Sequence, residues 1–324
     1  MPAMKFVDLF CGIGGFRQAL SDLGHKCVFS CDLDKDSRAT YEANYAEKPA
    51  GDILQIETSI IPEHNILCAG FPCQSFSISG KQNGFEDARG TLFHEIIRIA
   101  GYHQPEILLL ENVKNYKSHA GGKTLSKTIH LLNEIGYSVY YEVLNSSRYG
   151  VAQKRERIYF VCFRKDLNHA GFNFPAPLDK TIYLQDCLLP KGDSRLENLF
   201  IQRSDLKMSN CLPGKLENKP LRIGTIGKGG QGERIYSPKG HAITLSAFGG
   251  GVGAKTGLYL VGDRIRRLHP EECRRLMGFP DSFSLHPKQN VSFKQFGNSV
   301  VVPVIRSIFE SVEEHLSPGK LKAA

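Results

Sequence analysis

The chain has 324 residues, 41% hydrophobic and 23% charged, with a formal net charge of +8; this is the composition of a globular protein with ample material for a core. No stretch approaches the roughly 20 consecutive apolar residues of a membrane helix, and the start "MPAMKFVDLF" lacks the apolar core of a secretory signal. Nine cysteines without a C-x-x-C pair suit neither a disulfide framework nor a zinc site, which leads to the expectation of a cytoplasmic protein with free thiols and no metal.

The first half alternates. "KFVDLF" reads as a strand, "FRQALSDLG" as a helix stopping at Gly24, and "KCVFSC" as the next strand. The helix "DSRATYEANY", the strand "NILCA" and the helix "TLFHEIIRIAGY" follow. Then come the strand "EILLL", the helix "KTLSKTIHLLNEIG" and the strands "SVYYEVLN" and "RIYFVCF". Such alternation predicts an α/β fold, a doubly wound, mostly parallel sheet with helices on both faces. From about residue 186 apolar periodicity fades, and eleven of the 32 glycines fall between 224 and 257. Strand-like "RIYS" and "AITLSAF" among them predict a smaller, mostly β domain over a flexible linker. The tail "QFGNSVVVPVIRSIFESVEEHL" returns to apolar patterning, as strand or helix.

Ligands of doubly wound sheets bind at the carboxyl ends of the strands, and the chemically suggestive residues fall there. "DLFCGIGGF" sets Gly12, Gly14 and Gly15 between a strand and a helix without the G-x-G-x-x-G spacing of a dinucleotide site. Asp32 ends the second strand and Asp52 follows one unit later, which suits a nucleoside better than a dinucleotide; surface acids beside a structural turn are the plain alternative. Glu111 and Asn112 end "EILLLENV", where a carboxyl is either a paired structural group or a functional acid. In "QKRERIYFV", Arg155 and Arg157 stand two apart, which on a strand puts both on one face. The cations Arg222, Lys228, Arg234, Arg264, Arg266, Arg267, Arg274 and Arg275 suggest a phosphate-contacting surface, although each alone fits a solvated charge. In "LCAGFPCQSFSISG", Cys68 reads as a buried core thiol, whereas Cys73 follows a proline in a polar loop at the ligand edge, the setting of a nucleophile.

"DLFCGIGGF", "GFPCQSFS", "ENV", "QKRERIYFV", "RLHPEECRRLMGFP" and "QFGNSVV" occur in the order seen in bacterial DNA (cytosine-5)-methyltransferases, and the chain resembles that family over nearly its whole length. The resemblance implies a Rossmann-like catalytic and cofactor-binding domain over 1–185 and 290–324, a target-recognition domain over 186–270 and a hinge over 271–289. It implies catalytic roles for Cys73, Glu111, Arg155 and Arg157. The implied S-adenosylmethionine site comprises Phe10, Ile13, Gly15, Asp32, Leu33, Asp52, Ile53, Gly70, Pro72, Leu92, Asn298 and Ser299. The family often has glutamate where Asp32 stands and an aromatic residue where Leu33 stands.

The implied partner is duplex DNA, met by Ser79, Arg222, Lys228, Gln231 and Arg234, with Ser79 and Gln231 filling the space left by a flipped cytosine. "GKGGQGERIYS" is similar to the recognition segment of a small bacterial member, which makes GCGC the expected site. A monomer paired functionally with a restriction endonuclease completes the expectation. An RNA cytosine methyltransferase on the same core and an inactive DNA-binding module are the rivals. A thiol hydrolase would need a histidine beside Cys73, and neither His64 nor His94 sits in a recognisable motif.

Overall fold

The computed structural model describes residues 2–71, 92–167, 170–209 and 214–317. Pro72, Cys73 and Ser79 therefore lie outside the described residues. The chain forms two compact units, one of Met1–Leu144, Glu156–Ala176 and Val304–Ala324, the other of Asn145–Arg155 and Pro177–Pro303.

In the first unit the alternation of the sequence becomes β1 (Lys5–Leu9), α1 (Gly15–Asp22), β2 (Lys26–Cys31), α2 (Lys35–Tyr45) and β3 (Ile66–Gly70). It continues as α3 (Leu92–His103), β4 (Ile107–Val113), α4 (Lys123–Glu134), β5 (Tyr137–Asn145) and β6 (Glu156–Arg164). The six strands form one sheet in the order β2-β1-β3-β4-β6-β5. β1 pairs in parallel with β2 and β3, β3 with β4, and β6 runs antiparallel to β4. Parallel strands are covered on both faces and so read as unbroken apolar runs; Ile66, Leu67, Leu108, Leu109 and Leu110 are fully buried. α3 brings Phe93, Ile96 and Ile99 to this core, and α4 brings Leu125 and Leu132, each at helical spacing. The strand order reverses beside β1, with β2 on one side and β3 on the other. Crossovers leave in opposite directions there, which opens a crevice at the carboxyl ends.

The second unit carries β7 (Leu206–Met208), β8 (Leu221–Ile226), β9 (Arg234–Ser237), β10 (Leu258–Val261) and β11 (Arg264–Arg266), in the order β11-β10-β9-β8-β7. Ile223, Ile226, Ile235, Leu258 and Ile265 form its core. "RIYS" is β9, as its β-branched and aromatic pattern predicts. "AITLSAF" is a correction: it is no strand, and only Ala242 makes a bridge, to Gln153. α5 (Pro270–Met277) starts where "HPEE" dictates. His269 accepts from Glu271 N–H at 3.2 Å, Glu272 accepts from His269 N–H at 2.7 Å, and Pro270 opens the first turn. α6 (Gln289–Asn298) and α7 (Val302–Leu316) make the tail helical. Its β-branched run still buries a helical face, with Val304, Ile305, Ile308, Phe309 and Val312 inside and Pro303 in the first turn, where a missing N–H costs little.

Candidate active site

After β1, the turn from Phe10 to Gly15 uses left-handed backbone, with φ of 54° at Phe10 and at Gly12 and 86° at Gly14. A Cβ on Gly14 would stand 2.4 Å from the Tyr45 ring, so only glycine fits. The Tyr45 hydroxyl donates to the Gly14 carbonyl at 3.0 Å. Ile13 is buried behind the turn, Phe10 is half-buried, and Gly15 begins α1.

Asp32 stands just past β2 and ties the turn to it. Its Oδ2 accepts from Gly12 N–H at 2.8 Å and its Oδ1 from Asp34 N–H at 2.7 Å. Burial raises this carboxyl above its ordinary range, against the pull of those two bonds. Leu33 beside it is 72% exposed, unusual for a leucine at a strand end. Asp52 follows the bridge between Cys31 and Ala50, and its Oδ1 accepts from Leu54 N–H at 3.1 Å, next to buried Ile53. Gly70 closes β3 and half-buried Leu92 opens α3. The sheet thus brings Phe10, Ile13, Gly15, Asp32, Leu33, Asp52, Ile53 and Gly70 to the carboxyl ends of β1, β2 and β3.

Glu111 lies at the end of β4, facing Gly70 of β3 on one side and Tyr159 of β6 on the other. Arg157 Nε lies 3.2 Å from Glu111 Oε1, with the side chains 15% and 10% exposed. An enclosed carboxylate needs a charged partner to offset its lost hydration, and Arg157 supplies it. Asn112 Nδ2 donates to the Phe71 carbonyl at 3.3 Å, which fixes the chain just after β3. The expectation that Arg155 shares a strand face with Arg157 is corrected: β6 begins at Glu156, and Arg155 belongs to the second unit. There it is buried, and its guanidinium donates at 2.9 Å to the carbonyls of Leu245, Gly297 and Ser299. Arg155 therefore holds the backbone on which exposed Asn298 and buried Ser299 stand.

The C-5 cytosine-specific DNA methylase family model matches residues 4–314. The chain belongs to that family. It is 52% identical over 317 residues to the type II methyltransferase M.HhaI of Haemophilus parahaemolyticus, covering 98% of this chain and 96% of the relative. Identity to M.HpaII of Haemophilus parainfluenzae is 41% over 341 residues, covering 96% of this chain and 89% of the relative. Among solved structures, the Entamoeba histolytica methyltransferase EhMeth superposes with a TM-score of 0.76 at 16% identity, covering 98% of this chain and 100% of that one. The S. pombe Dnmt2 methyltransferase gives 0.72 at 18% identity, covering 97% and 99%. Both share the fold.

In this cytosine-5 DNA methyltransferase the basic residues of the second unit divide. Arg222, Lys228 and Gln231 are exposed and Arg234 half-buried, around the turn from Gly227 to Glu233. A Cβ on Gly232 would stand 2.0 Å from the Gly250 carbonyl, so this turn lies directly on a second glycine-rich turn. Three of the remaining arginines, Arg266, Arg274 and Arg275, are corrections to the expected phosphate-contacting surface. Arg266 is 1% exposed and makes a two-pronged pair with buried Glu272 at 2.8 and 2.7 Å. Arg274 is buried against Glu271 and Asp281, and Arg275 donates to the carbonyls of Cys187 and Leu188. Arg264 stacks over Phe200 at 3.4 Å and pairs with Glu197 at 3.7 Å. Arg266, Arg274 and Arg275 serve the fold, whereas Arg264 stays exposed.

Two residues beside the methyltransferase's glycine turn escape sequence reasoning. One is Tyr45, whose contact to Gly14 spans 31 positions. The other is Asp8, fully buried in β1, whose carboxyl burial pushes well above the usual range against the pull of the Arg17 charge. The one available signal for Asp8 is a carboxylate inside an otherwise apolar parallel strand. Among the described residues no group of side chains suits a metal ion, and no helix is long and apolar enough to cross a membrane.

Proposed function

We propose that this methyltransferase acts on cytosine through a temporary bond to Cys73, at GCGC sites in duplex DNA, as the modification partner of a type II restriction endonuclease. The observation that carries the reading is the enclosed Glu111–Arg157 pair, in register with Gly70. Cys73 follows Gly70 by three residues in the sequence. A thiol and a carboxyl group within reach of one ring are what cytosine chemistry requires.

Cytosine is a poor electrophile. The Cys73 thiolate attacks carbon 6 while Glu111 bonds the ring at nitrogen 3 and draws off electron density, and Arg157 holds Glu111 in place. Carbon 5 becomes nucleophilic as the carbon–sulfur bond forms. S-adenosylmethionine, when bound, supplies the methyl group and leaves as S-adenosylhomocysteine. Loss of the carbon 5 proton to a base then restores the double bond and expels the thiolate. The duplex hides carbon 6, so the cytosine is first turned out of the stack, at a cost of a few kcal/mol.

The carboxyl ends of β1 to β3 suit the cofactor. A carboxylate offers about four accepting positions, so Asp32 retains capacity for ribose hydroxyls beyond its two backbone bonds. Asp52 suits the adenine amino group, and Leu33, exposed beside Asp32, offers an apolar face to the base. Phe10, Ile13, Gly15, Ile53, Gly70 and Leu92 line the remainder. The assignments of Pro72, Asn298, Ser299 and Ser79 rest on family likeness alone. Gln231, Arg222, Lys228 and Arg234 are assigned to DNA, with Gln231 on the turn that meets base edges.

Bisulfite sequencing of DNA from cells expressing the protein tests activity and site together. The expected result is 5-methylcytosine confined to GCGC sites. No methylation anywhere would overturn the activity, and a different confined site would overturn the assigned target. Gln231→Ala is expected to spread methylation to sites differing by one base pair, a mismatch normally costing about 1–3 kcal/mol. An unchanged pattern would remove Gln231 from recognition.

A further inference from the structure

The turn from Gly227 to Glu233 is held by carboxylates, which is unexpected on a surface assigned to a polyanion. Antiparallel pairing sets Leu206 of β7 opposite Ile226 of β8. One residue further out on each strand, the same register sets Asp205 opposite Gly227. Asp205 Oδ2 accepts from Gly227 N–H at 3.0 Å. The carboxylate is gripped in turn by Arg203, whose Nε and Nη2 donate to it at 2.8 and 2.7 Å. At the other end of the turn, Glu233 Oε2 accepts from Gly230 N–H at 2.9 Å, and Glu233 N–H donates to the Gly230 carbonyl at 3.0 Å. Gly227 and Gly229 adopt φ of 54° and 76°, so their backbone has little preference of its own to hold this shape.

We infer that Asp205 is a positioning residue for target selection, fixing the first amide of the turn that carries Lys228 and Gln231. The inference rests on the proposed role of Gln231. Discrimination between bases depends on how firmly the reading side chain is held, because a turn free to shift can rebuild contacts to a wrong base that a fixed turn would leave unpaired. The arrangement also occupies Arg203 internally. Its charge is neutralised by Asp205 and withheld from phosphates, which act without regard to sequence. Removing the carboxylate therefore has two opposed effects: the turn loosens, and a cation is released toward the DNA backbone.

The test compares Asp205→Ala, Asp205→Asn and Arg203→Ala with the unaltered enzyme. The readouts are kcat/KM on duplexes carrying GCGC or a one-base variant, and DNA affinity as a function of salt. Asp205→Ala is expected to lower the ratio of the two kcat/KM values about fivefold, the effect of losing one charge-assisted hydrogen bond at a solvent-exposed site. Its non-specific affinity should hold or rise, with the salt slope steeper by up to about one ion. A merely structural role predicts the reverse, because a damaged unit binds all DNA less well. Asp205→Asn keeps an accepting oxygen for Gly227 and should retain most of the discrimination, as should Arg203→Ala. An unchanged ratio in Asp205→Ala would overturn the inference, as would a loss in Arg203→Ala equal to that in Asp205→Ala. Should Asp205→Ala fail to fold, amide exchange at Gly227 in the unaltered enzyme decides: protection supports the inference, and exchange at the rate of an open loop overturns it. If Gln231→Ala leaves selectivity intact, the reading of the turn itself has failed; if Gln231 matters and Asp205 does not, this inference alone falls.

Discussion

Cys73→Ser is expected to reduce methyl transfer on the order of 10³-fold or more while leaving DNA affinity within a few-fold of the unaltered enzyme. The thiol of a free cysteine titrates near 8.5, low enough for a reactive fraction at neutral pH, and cationic surroundings enlarge that fraction. A serine hydroxyl has no comparable ionised population and no general base assigned to it here. Attack on carbon 6 therefore stops at its first step. Affinity is carried mainly by phosphate contacts, which this substitution leaves untouched. Incorporation of labelled methyl groups into DNA, paired with a gel-shift titration at one fixed salt concentration, separates the two quantities. Turnover retained within tenfold would exclude Cys73 as the attacking group.

Glu111→Gln is expected to lower kcat by about 10²- to 10⁴-fold, the usual span for a positioned proton-transfer group, with much less change in the KM for DNA. A glutamine keeps the shape and one hydrogen bond but presents neither a carboxylate to Arg157 nor a carboxyl proton to the ring. Arg157 is only 15% exposed and its Nε lies 3.2 Å from Glu111 Oε1. Leaving that cation without its counter-charge is expected to cost about 1–3 kcal/mol of stability. The double substitution Glu111→Gln with Arg157→Leu should recover thermal stability without recovering activity. Melting curves alongside steady-state kinetics check both parts. Activity regained together with stability would reduce Glu111 to a structural partner of Arg157.

How much of this was legible in the sequence depends on where each side chain finds its partner. The strands and helices of the first unit were readable because local periodicity encodes them: "KCVFSC" is β2 residue for residue, and "EILLL" covers most of β4. The carboxyl-end positions of Asp32, Asp52 and Glu111 followed from those elements alone. The arginines were not readable, since a cation bound for solvent and one bound for the interior look alike in a sequence. Arg266 enters the core because Glu272, six residues on in the first turn of α5, meets it there. Arg155 looked like a strand residue until its carbonyl partners, some 90 to 144 positions away, were placed. "AITLSAF" has the composition of a strand, but Ala242 finds only Gln153 to pair with. The tail misleads through β-branched residues, whose propensity yields when a helical face has a core to fill. Tyr45 against Gly14 and Asp205 opposite Gly227 depend on packing and register, which no local pattern reports.

The proposed mechanism turns on sulfur bonding transiently to a flipped pyrimidine. A duplex carrying 5-fluorocytosine at the target position tests this most directly, because fluorine at carbon 5 cannot leave as a cation the way hydrogen does. Incubated with the enzyme and S-adenosylmethionine, this duplex is expected to give a complex that survives denaturation. Mass spectrometry of the digest should place the methylated fluoropyrimidine on the peptide containing Cys73. Enzyme that methylates the ordinary duplex yet yields no denaturation-resistant complex with the fluorinated one, or yields one attached elsewhere, would contradict it.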